Sequence, residues 1–207
     1  GMSMEIVLAS NSPRRRELMK MVAAEYIISP VDIDESSAAD DDPVRYAVQA
    51  AVLEARAAGE THPGSVVIAA DTVVAVDSAI LGKPADRAEA VEMLGLLSGR
   101  RHRVVTGLAL YKKDEDRLLT GWEITYVSFR GLDEAIISSY LDRNDFLDKA
   151  GAYAIQDVGD AFVAGIKGDY DNVVGFPVNK VRHLLNLFRV PVLTLKAEES
   201  AFPEAGA

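Results

Sequence analysis

Cysteine is absent from the 207 residues, which excludes disulfides, cysteine-ligated zinc, iron–sulfur centres and thiol catalysis. Histidine is scarce: His62, His102 and His183 are scattered, a poor basis for a multi-histidine metal site. No apolar run approaches the roughly 18 to 20 residues of a membrane span. The stretch Val66-Val67-Ile68-Ala69-Ala70 is ended by Asp71. A signal peptide is not indicated, because Arg14-Arg15-Arg16 follows the first apolar stretch instead of preceding it. Gly1 ahead of Met2 reads as a cloning remnant, and a cytoplasmic protein with no membrane partner is expected. Positive charge is also in deficit: 22 Lys and Arg against 32 Asp and Glu leave a net charge of -10. That argues against a general nucleic-acid binder, which needs a broad basic surface to displace counterions. A small anionic substrate stays open, provided that local cations or a metal meet its charge.

What is present is ordinary for a globular α/β domain, with 49% hydrophobic and 26% charged residues. Glu5 to Ala9 reads as a first strand, and Ser10-Asn11-Ser12-Pro13 as a turn into a helix whose inner face carries Leu18 and Val22. Tyr26 to Ile28 is a second strand, Asp32 to Asp42 an acidic loop, and Pro43 to about Ala58 a helix. Val66 to Val76 is apolar on both faces apart from Asp71 and Thr72, which predicts a central strand. Asp77-Ser78 reads as a turn. Asp86-x-x-Glu89 has the form of a capping box and opens a helix that ends at Ser98-Gly99. Strands are predicted at Val104–Tyr111, Glu123–Phe129, Phe162–Ile166 and Val192–Leu195. Helices are predicted at Leu132–Leu141 and along the stripe Val178, Val181, Leu184, Leu185 and Phe188. From Glu198 a flexible tail is expected. No repeat or low-complexity linker divides the chain, so residues 1–207 are expected to form a single domain.

Three loop regions are richer in polar and glycine residues than connection demands. Ser10-Asn11-Ser12-Pro13-Arg14-Arg15 offers backbone N–H groups, hydroxyls and two guanidinium forks at a helix start, which suits a phosphate. A serine-capped helix with solvated arginines is the plainer alternative. Asp71 in so apolar a strand needs a partner: a divalent ion, a water whose proton it takes, or backbone amides. Lys83, in Leu81-Gly82-Lys83-Pro84, sits in a rigid turn that suits a phosphate but also suits a plain turn. Asp148 to Gln156 and Lys167 to Pro177 contain small residues that let the backbone approach a ligand. Gln156 adds an amide able to read a base edge.

These segments resemble the Maf family of nucleoside triphosphate pyrophosphatases. Leu8-Ala9-Ser10-Asn11-Ser12-Pro13-Arg14-Arg15 is similar to the family's N-terminal signature. Val31-Asp32-Ile33-Asp34-Glu35, Ala70-Asp71-Thr72-Val73-Val74, Leu81-Gly82-Lys83-Pro84 and Leu97-Ser98-Gly99 follow in the family's order. Asp148-Lys149-Ala150-Gly151-Ala152-Tyr153 with Gln156, and Tyr170-x-Asn172-Val173-Val174-Gly175-x-Pro177, complete the likeness from about Ile6 to Leu187.

The resemblance implies an elongated α/β fold of two lobes around a mixed, curved sheet, similar to that of the inosine triphosphate pyrophosphatases. The active site would lie in the cleft between the lobes. It also implies Mg²⁺- or Mn²⁺-assisted hydrolysis of a nucleoside triphosphate to the monophosphate and pyrophosphate, and a possible homodimer. Arg14, Asp71-Thr72, Lys149 to Tyr153 and Gln156 are similar to the branch that prefers dTTP and UTP. The sister activity on 7-methyl-GTP or other purine triphosphates, and a non-catalytic nucleotide-binding role, are the alternative readings.

On charge grounds Glu35 and Asp71 would ligate the metal, with Asp71 positioning or deprotonating the attacking water. Arg14, Arg15 and Lys83 would clamp the phosphates, and Lys83 would help stabilise the leaving group. Gln156 would read the base and Thr72 would shape the wall, with Ser10 and Asn172 as supporting polar contacts. The sequence departs from the family at Glu54, where a Leu-Ala-x-x-Lys-Ala pattern has lysine. Milder departures are Asn144-Asp145 and Phe176.

Overall fold

The computed structural model describes residues 4–34 and 38–190. Glu35, the predicted strand Val192–Leu195 and the tail from Glu198 lie outside the described residues. The described elements form a mixed sheet with strand order β2-β1-β3-β5-β6-β7, and β4 pairs with β3 beside that path.

Strand β1 (Ile6–Leu8) is buried and runs parallel to β2 (Ile27–Ile28) and to the first residues of β3 (Val66–Val76). Helix α1 (Pro13–Met19) starts where its sequence predicts: Pro13 has no N–H to lose, and the Ser12 hydroxyl accepts the Arg15 N–H at 3.3 Å. It ends three residues short of Val22, which is buried in the turn that follows. Helix α2 (Pro43–Thr61) is capped by Asp42, whose carboxylate accepts the N–H groups of Val44 and Arg45. Its inner face is made of Ala47, Ala50, Ala51, Ala55, Ala58 and Gly59. Such small residues let the helix lie close on the sheet. At Gly107 the approach is so close that a Cβ would sit 2.2 Å from the Ala47 carbonyl carbon.

β3 occupies residues 66–76, as its sequence predicts, and it is central. One edge pairs antiparallel with β5 (Arg101–Lys112) from Val67 to Ala75. The other edge is divided. β1 takes residues 66–68, and β4 (Ala79–Leu81), returning through a turn at Asp77, takes residues 74–76. Among the described residues no strand pairs with Ala69–Val73 on that side. β4 was not foreseen, because three residues are too few to show an alternation. β6 (Arg117–Phe129) begins six residues earlier than predicted, and Leu118 and Trp122 on its outer face obscure the pattern. β7 (Val163–Lys167) closes the far edge.

Helix α3 (Arg87–Leu97) starts at the predicted cap, with Asp86 accepting the Glu89 N–H at 2.8 Å. Helix α4 (Glu134–Arg143) follows its Asp133 cap. Helices α5 (Ile155–Phe162) and α6 (Tyr170–Val174) are additional to the sequence reading, and α7 (Val178–Leu187) is the predicted late helix. α5 and α6 are short, and Gly159 interrupts the first with a positive φ.

Two hydrophobic clusters share one face of the sheet. Ile68, Ala70, Leu108 and Leu110 pack under Phe176, Val181 and Leu185. Val74, Val76, Val104 and Val127 pack under Leu94, Leu97, Tyr153 and Phe162. Between the clusters the cross-strand pair is Thr72 and Thr106, whose hydroxyls lie 2.8 Å apart. The opposite face bears Val67, Ala69, Ala109 and Tyr111 under Ala51, Ala55 and Ala58 of α2. The mixed α/β sheet and the two cores correspond to the fold class expected from the sequence.

His102 is buried in the second of these clusters, with Nε2 2.6 Å from the Tyr153 hydroxyl and its ring edge-on to Phe129. Burial lowers its pKa from 6.5 to about 4. On acidification the unfolded chain therefore takes up this proton first. The stabilisation is complete above pH 6.5 and is lost as pH falls towards 4. Unfolding free energy should drop by about 2 kcal/mol between pH 7 and pH 5 on account of this group alone. Urea unfolding of the wild type and of His102→Phe at both pH values checks it: the variant should lose that part of the pH slope.

Candidate active site

The unpaired stretch of β3 opens onto a cleft of about 390 Å³, within the range of small-molecule sites. Besides β3, its walls come from five parts of the fold: the start of α1, the middle of α2, the turn after β4, and the segments around residues 148–154 and 173–175. Alternation along β3 sends Asp71 and Thr72 to opposite faces. Val67, Ala69 and Val73 lie under α2, so Asp71 lies on the α2 side. Thr72 faces the other side, with Thr106. Both line the cleft, where among the described residues no strand pairs with this part of the edge. Asp71 is thus half-buried, not sealed in the sheet as its sequence context suggests. Its cross-strand partner is Gly107, which has no side chain to cover it.

The two arginines are held in place. Arg15 Nε donates to the Gly175 carbonyl at 2.8 Å, and its Nη2 donates to the Thr72 hydroxyl at 3.0 Å. Arg14 Nε donates to the Val174 carbonyl at 3.3 Å, with Nη1 3.8 Å from the Asp148 carboxylate. Lys149, mostly buried, donates to the same carboxylate at 2.8 Å. Partial burial pulls the Asp148 carboxyl upward, but the hydrogen bond and charge of Lys149, with Arg14 behind it, hold it below the usual carboxylate range. Lys83 is exposed on the cleft rim, and the neighbouring Gly82 carbonyl accepts the Gly151 N–H at 3.0 Å. Gly151 is required there: its φ is +69°, and a Cβ would meet Val74 at 2.9 Å.

Of the residues expected at the site, Arg14, Arg15, Asp71, Thr72 and Lys83 line this one cleft. Three others do not. Asn172 is fully buried, with its amide nitrogen within reach of the Val104 and Glu123 carbonyls and the Thr125 hydroxyl. These bonds hold the 172–175 segment, whose carbonyls receive both arginines, and Asn172 itself does not line the cleft. Ser10 is buried, and its hydroxyl accepts the Ser12 N–H at 3.0 Å, shaping the turn without lining the cleft. Gln156 is exposed at the start of α5, two residues beyond Ala154, which does form part of the wall.

Tyr46, Glu54, Asp148 and Lys149 also line the cleft. For Tyr46 no local signal marks it, whereas Asp148 and Lys149 stand in a motif already singled out. Among the described residues the lining therefore carries four cations, Arg14, Arg15, Lys83 and Lys149, against the carboxylates Glu54, Asp71 and Asp148. Val74, Val104, Tyr153 and Val173 add apolar lining.

Among the described residues no three Asp, Glu or His converge to hold a metal by themselves. A hard ion such as Mg²⁺ still fits the donor chemistry: it takes one or two carboxylates, here Asp71 and Glu54, and completes its shell with water and phosphate oxygens. Fold and site together define a mixed α/β protein with a cleft lined by cations and carboxylates together with apolar side chains.

Comparison with known proteins narrows this class. The Maf-like protein family matches residues 5–188, and the chain belongs to that family. It is 44% identical over 190 residues to a dTTP/UTP pyrophosphatase of Symbiobacterium thermophilum, covering 92% of this chain and 97% of that protein. It is 43% identical to a dTTP/UTP pyrophosphatase of Bacillus mycoides, covering 89% and 95%. Among solved structures it is similar to the Staphylococcus aureus Ham1 protein, with a TM-score of 0.52, 16% identity and coverage of 89% and 99%. A HAM1 protein from Coxiella burnetii has a TM-score of 0.51, 17% identity and the same coverage. At these identities the likeness is one of fold.

Proposed function

We propose that the protein is a nucleoside triphosphate pyrophosphatase that hydrolyses the α–β phosphoanhydride of dTTP and UTP with a divalent cation, Mg²⁺ or Mn²⁺. The observation that carries this reading is the position of Asp71, at the uncovered edge of β3 between the arginines of α1 and Lys83. The names of the related proteins support the substrate.

Arg14, Arg15 and Lys83 hold the phosphates, and the apolar part of the lining takes the base. Asp71 orients a water towards the α-phosphorus and accepts its proton as the oxygen attacks. The bond from that phosphorus to the α–β bridging oxygen breaks, and pyrophosphate leaves with its charge met by Lys83 and the arginines. A bound divalent cation would make the water more acidic and offset phosphate charge. Thr72 is tied to Arg15 and Thr106 and shapes the wall beside the phosphates. Gln156, exposed two residues beyond the wall residue Ala154, would have to turn inward for its amide to read the base.

A panel of triphosphates with pyrophosphate and phosphate both assayed tests the reading. dTTP and UTP should exceed 7-methyl-GTP in kcat/KM by at least about tenfold, corresponding to roughly 1.4 kcal/mol. Pyrophosphate should be the product, with activity lost in EDTA and restored by Mg²⁺ or Mn²⁺. A panel led by 7-methyl-GTP or ITP, release of single phosphate, or full turnover without metal would contradict it.

A further inference from the structure

A polar pair is sealed in the apolar cluster beside the cleft. His102, on the face of β5 that also carries Val104, places Nε2 2.6 Å from the Tyr153 hydroxyl. Burial keeps both groups neutral, lowering the imidazole to about 4 and raising the phenol above its ordinary range. The second ring nitrogen, Nδ1, is buried with no partner among the described residues. A phenylalanine at 102 would pack against Phe129 and Tyr153 and leave no nitrogen unpaired. What the imidazole adds is a fixed point for the Tyr153 hydroxyl.

That hydroxyl belongs to a segment in need of support. Gly151 and Ala152 have φ of +69° and +68°, so two successive residues lie in the left-handed region, which is costly for Ala152. The Gly151 N–H donates to the Gly82 carbonyl at 3.0 Å, and the Ala154 N–H donates to the Tyr140 hydroxyl at 3.2 Å. These two bonds fix the backbone on either side of residues 152 and 153. The bond to His102 fixes the Tyr153 side chain itself, whose ring also meets Phe129 edge-on at 4.8 Å between centroids. Tyr153 lines the cleft with Val74, Val104 and Val173, whereas His102 is outside the lining.

We propose that His102 is a positioning residue for nucleotide binding: by holding the Tyr153 hydroxyl it sets the ring that forms part of the apolar wall, and so the fit of the base. This rests on the nucleotide reading of the cleft. His102 acts through Tyr153 and touches neither the phosphates nor the reacting atoms. Water does not compete for a hydrogen bond buried this deeply, so the constraint on the ring is firm.

Kinetics with dTTP, set beside competitive inhibition by inorganic tripolyphosphate, tests the proposal, because tripolyphosphate has the phosphate chain and no base. His102→Phe should raise KM for dTTP at least about fivefold, with kcat within about threefold and the tripolyphosphate inhibition constant within about twofold of wild type. Tyr153→Phe keeps the ring and removes the same bond, so it should behave alike, and the double variant should be no worse than either single one. His102→Gln keeps a hydrogen-bonding group at 102 and should recover part of the loss. Phe162 packs on Phe129 and Tyr140 outside the lining, so Phe162→Leu should lower the melting temperature and leave KM unchanged. Thermal melts establish that each variant is folded, and Tyr153→Phe keeps the test alive if the His102 variants are not. An unchanged KM in the folded variants, an equal rise with Phe162→Leu, or an equal loss of tripolyphosphate inhibition overturns the role of His102 and leaves the nucleotide reading standing. A wild type that turns over no nucleoside triphosphate overturns that reading and this proposal with it.

Discussion

Asp71→Asn should lower kcat for dTTP at least about 10²-fold, because general acid–base assistance is worth roughly 10² to 10⁴. The substitution keeps shape and removes charge at a half-buried side chain that opens to the cleft. The fold should therefore survive, with a melting temperature close to that of the wild type. Loss of one negative charge beside the phosphates also means that nucleotide binding without metal should hold or tighten. If Asp71 served only to pin the strand, activity would fall no further than the folded fraction does. Thermal melts run beside single-turnover kinetics separate the two outcomes. A folded Asp71→Asn enzyme with near-normal kcat would take Asp71 out of the chemistry and direct attention to Glu35.

Gly107→Ala should be the most damaging of the small substitutions. The added Cβ would lie 2.2 to 2.4 Å from the backbone of Ala47 and Val48, and backbone cannot rotate aside as a side chain can. Helix α2 must lift, at a cost of at least about 2 kcal/mol. In a domain of this size that lowers the melting temperature by roughly 4 to 8 °C. Because α2 carries Tyr46 and Glu54 into the cleft, kcat/KM should fall as well, by roughly tenfold at a temperature where the protein is folded. Gly95→Ala is the contrast. It lies within α3 with nothing inside 4 Å of its Cβ position, so it should be neutral or slightly stabilising. Similar melting temperatures for the two variants would mean that α2 and β5 are less tightly apposed than the structure shows.

How Glu54 meets its setting illustrates the limits of a linear reading. Its departure from the family pattern is visible in the sequence, and so is the nearby Arg56 that could answer it. Only the fold shows that Arg56 lies over Tyr111 and not in the cleft. Asn172 makes the same point in reverse. It stands in a polar, glycine-containing motif that suggests a ligand contact, yet its amide nitrogen donates to the backbone of β5 and β6. Between two residue types of equal polarity, the deciding factor is which of them is left facing solvent.

The sequence by itself determined the local structure and the chemical inventory. Pro13, Asp42, Asp86 and Asp133 set helix starts because capping is settled within three or four residues. The bounds of β3 follow from an apolar run too long for anything but a strand buried on both faces. Arg14, Arg15, Asp71, Thr72 and Lys83 stand out because their segments, each open to a plainer reading alone, together resemble the blocks of one family. Tertiary structure alone decided that β1 and β4 share one edge of β3 and that, among the described residues, no strand pairs with Ala69–Val73 between them. It also decided that alternation places Asp71 beneath α2 and Thr72 beside Thr106, and that an alanine face brings Glu54 to the cleft. These are pairings between segments many residues apart, fixed by which surfaces pack together. Propensity and capping act over one turn of chain and carry no information about them.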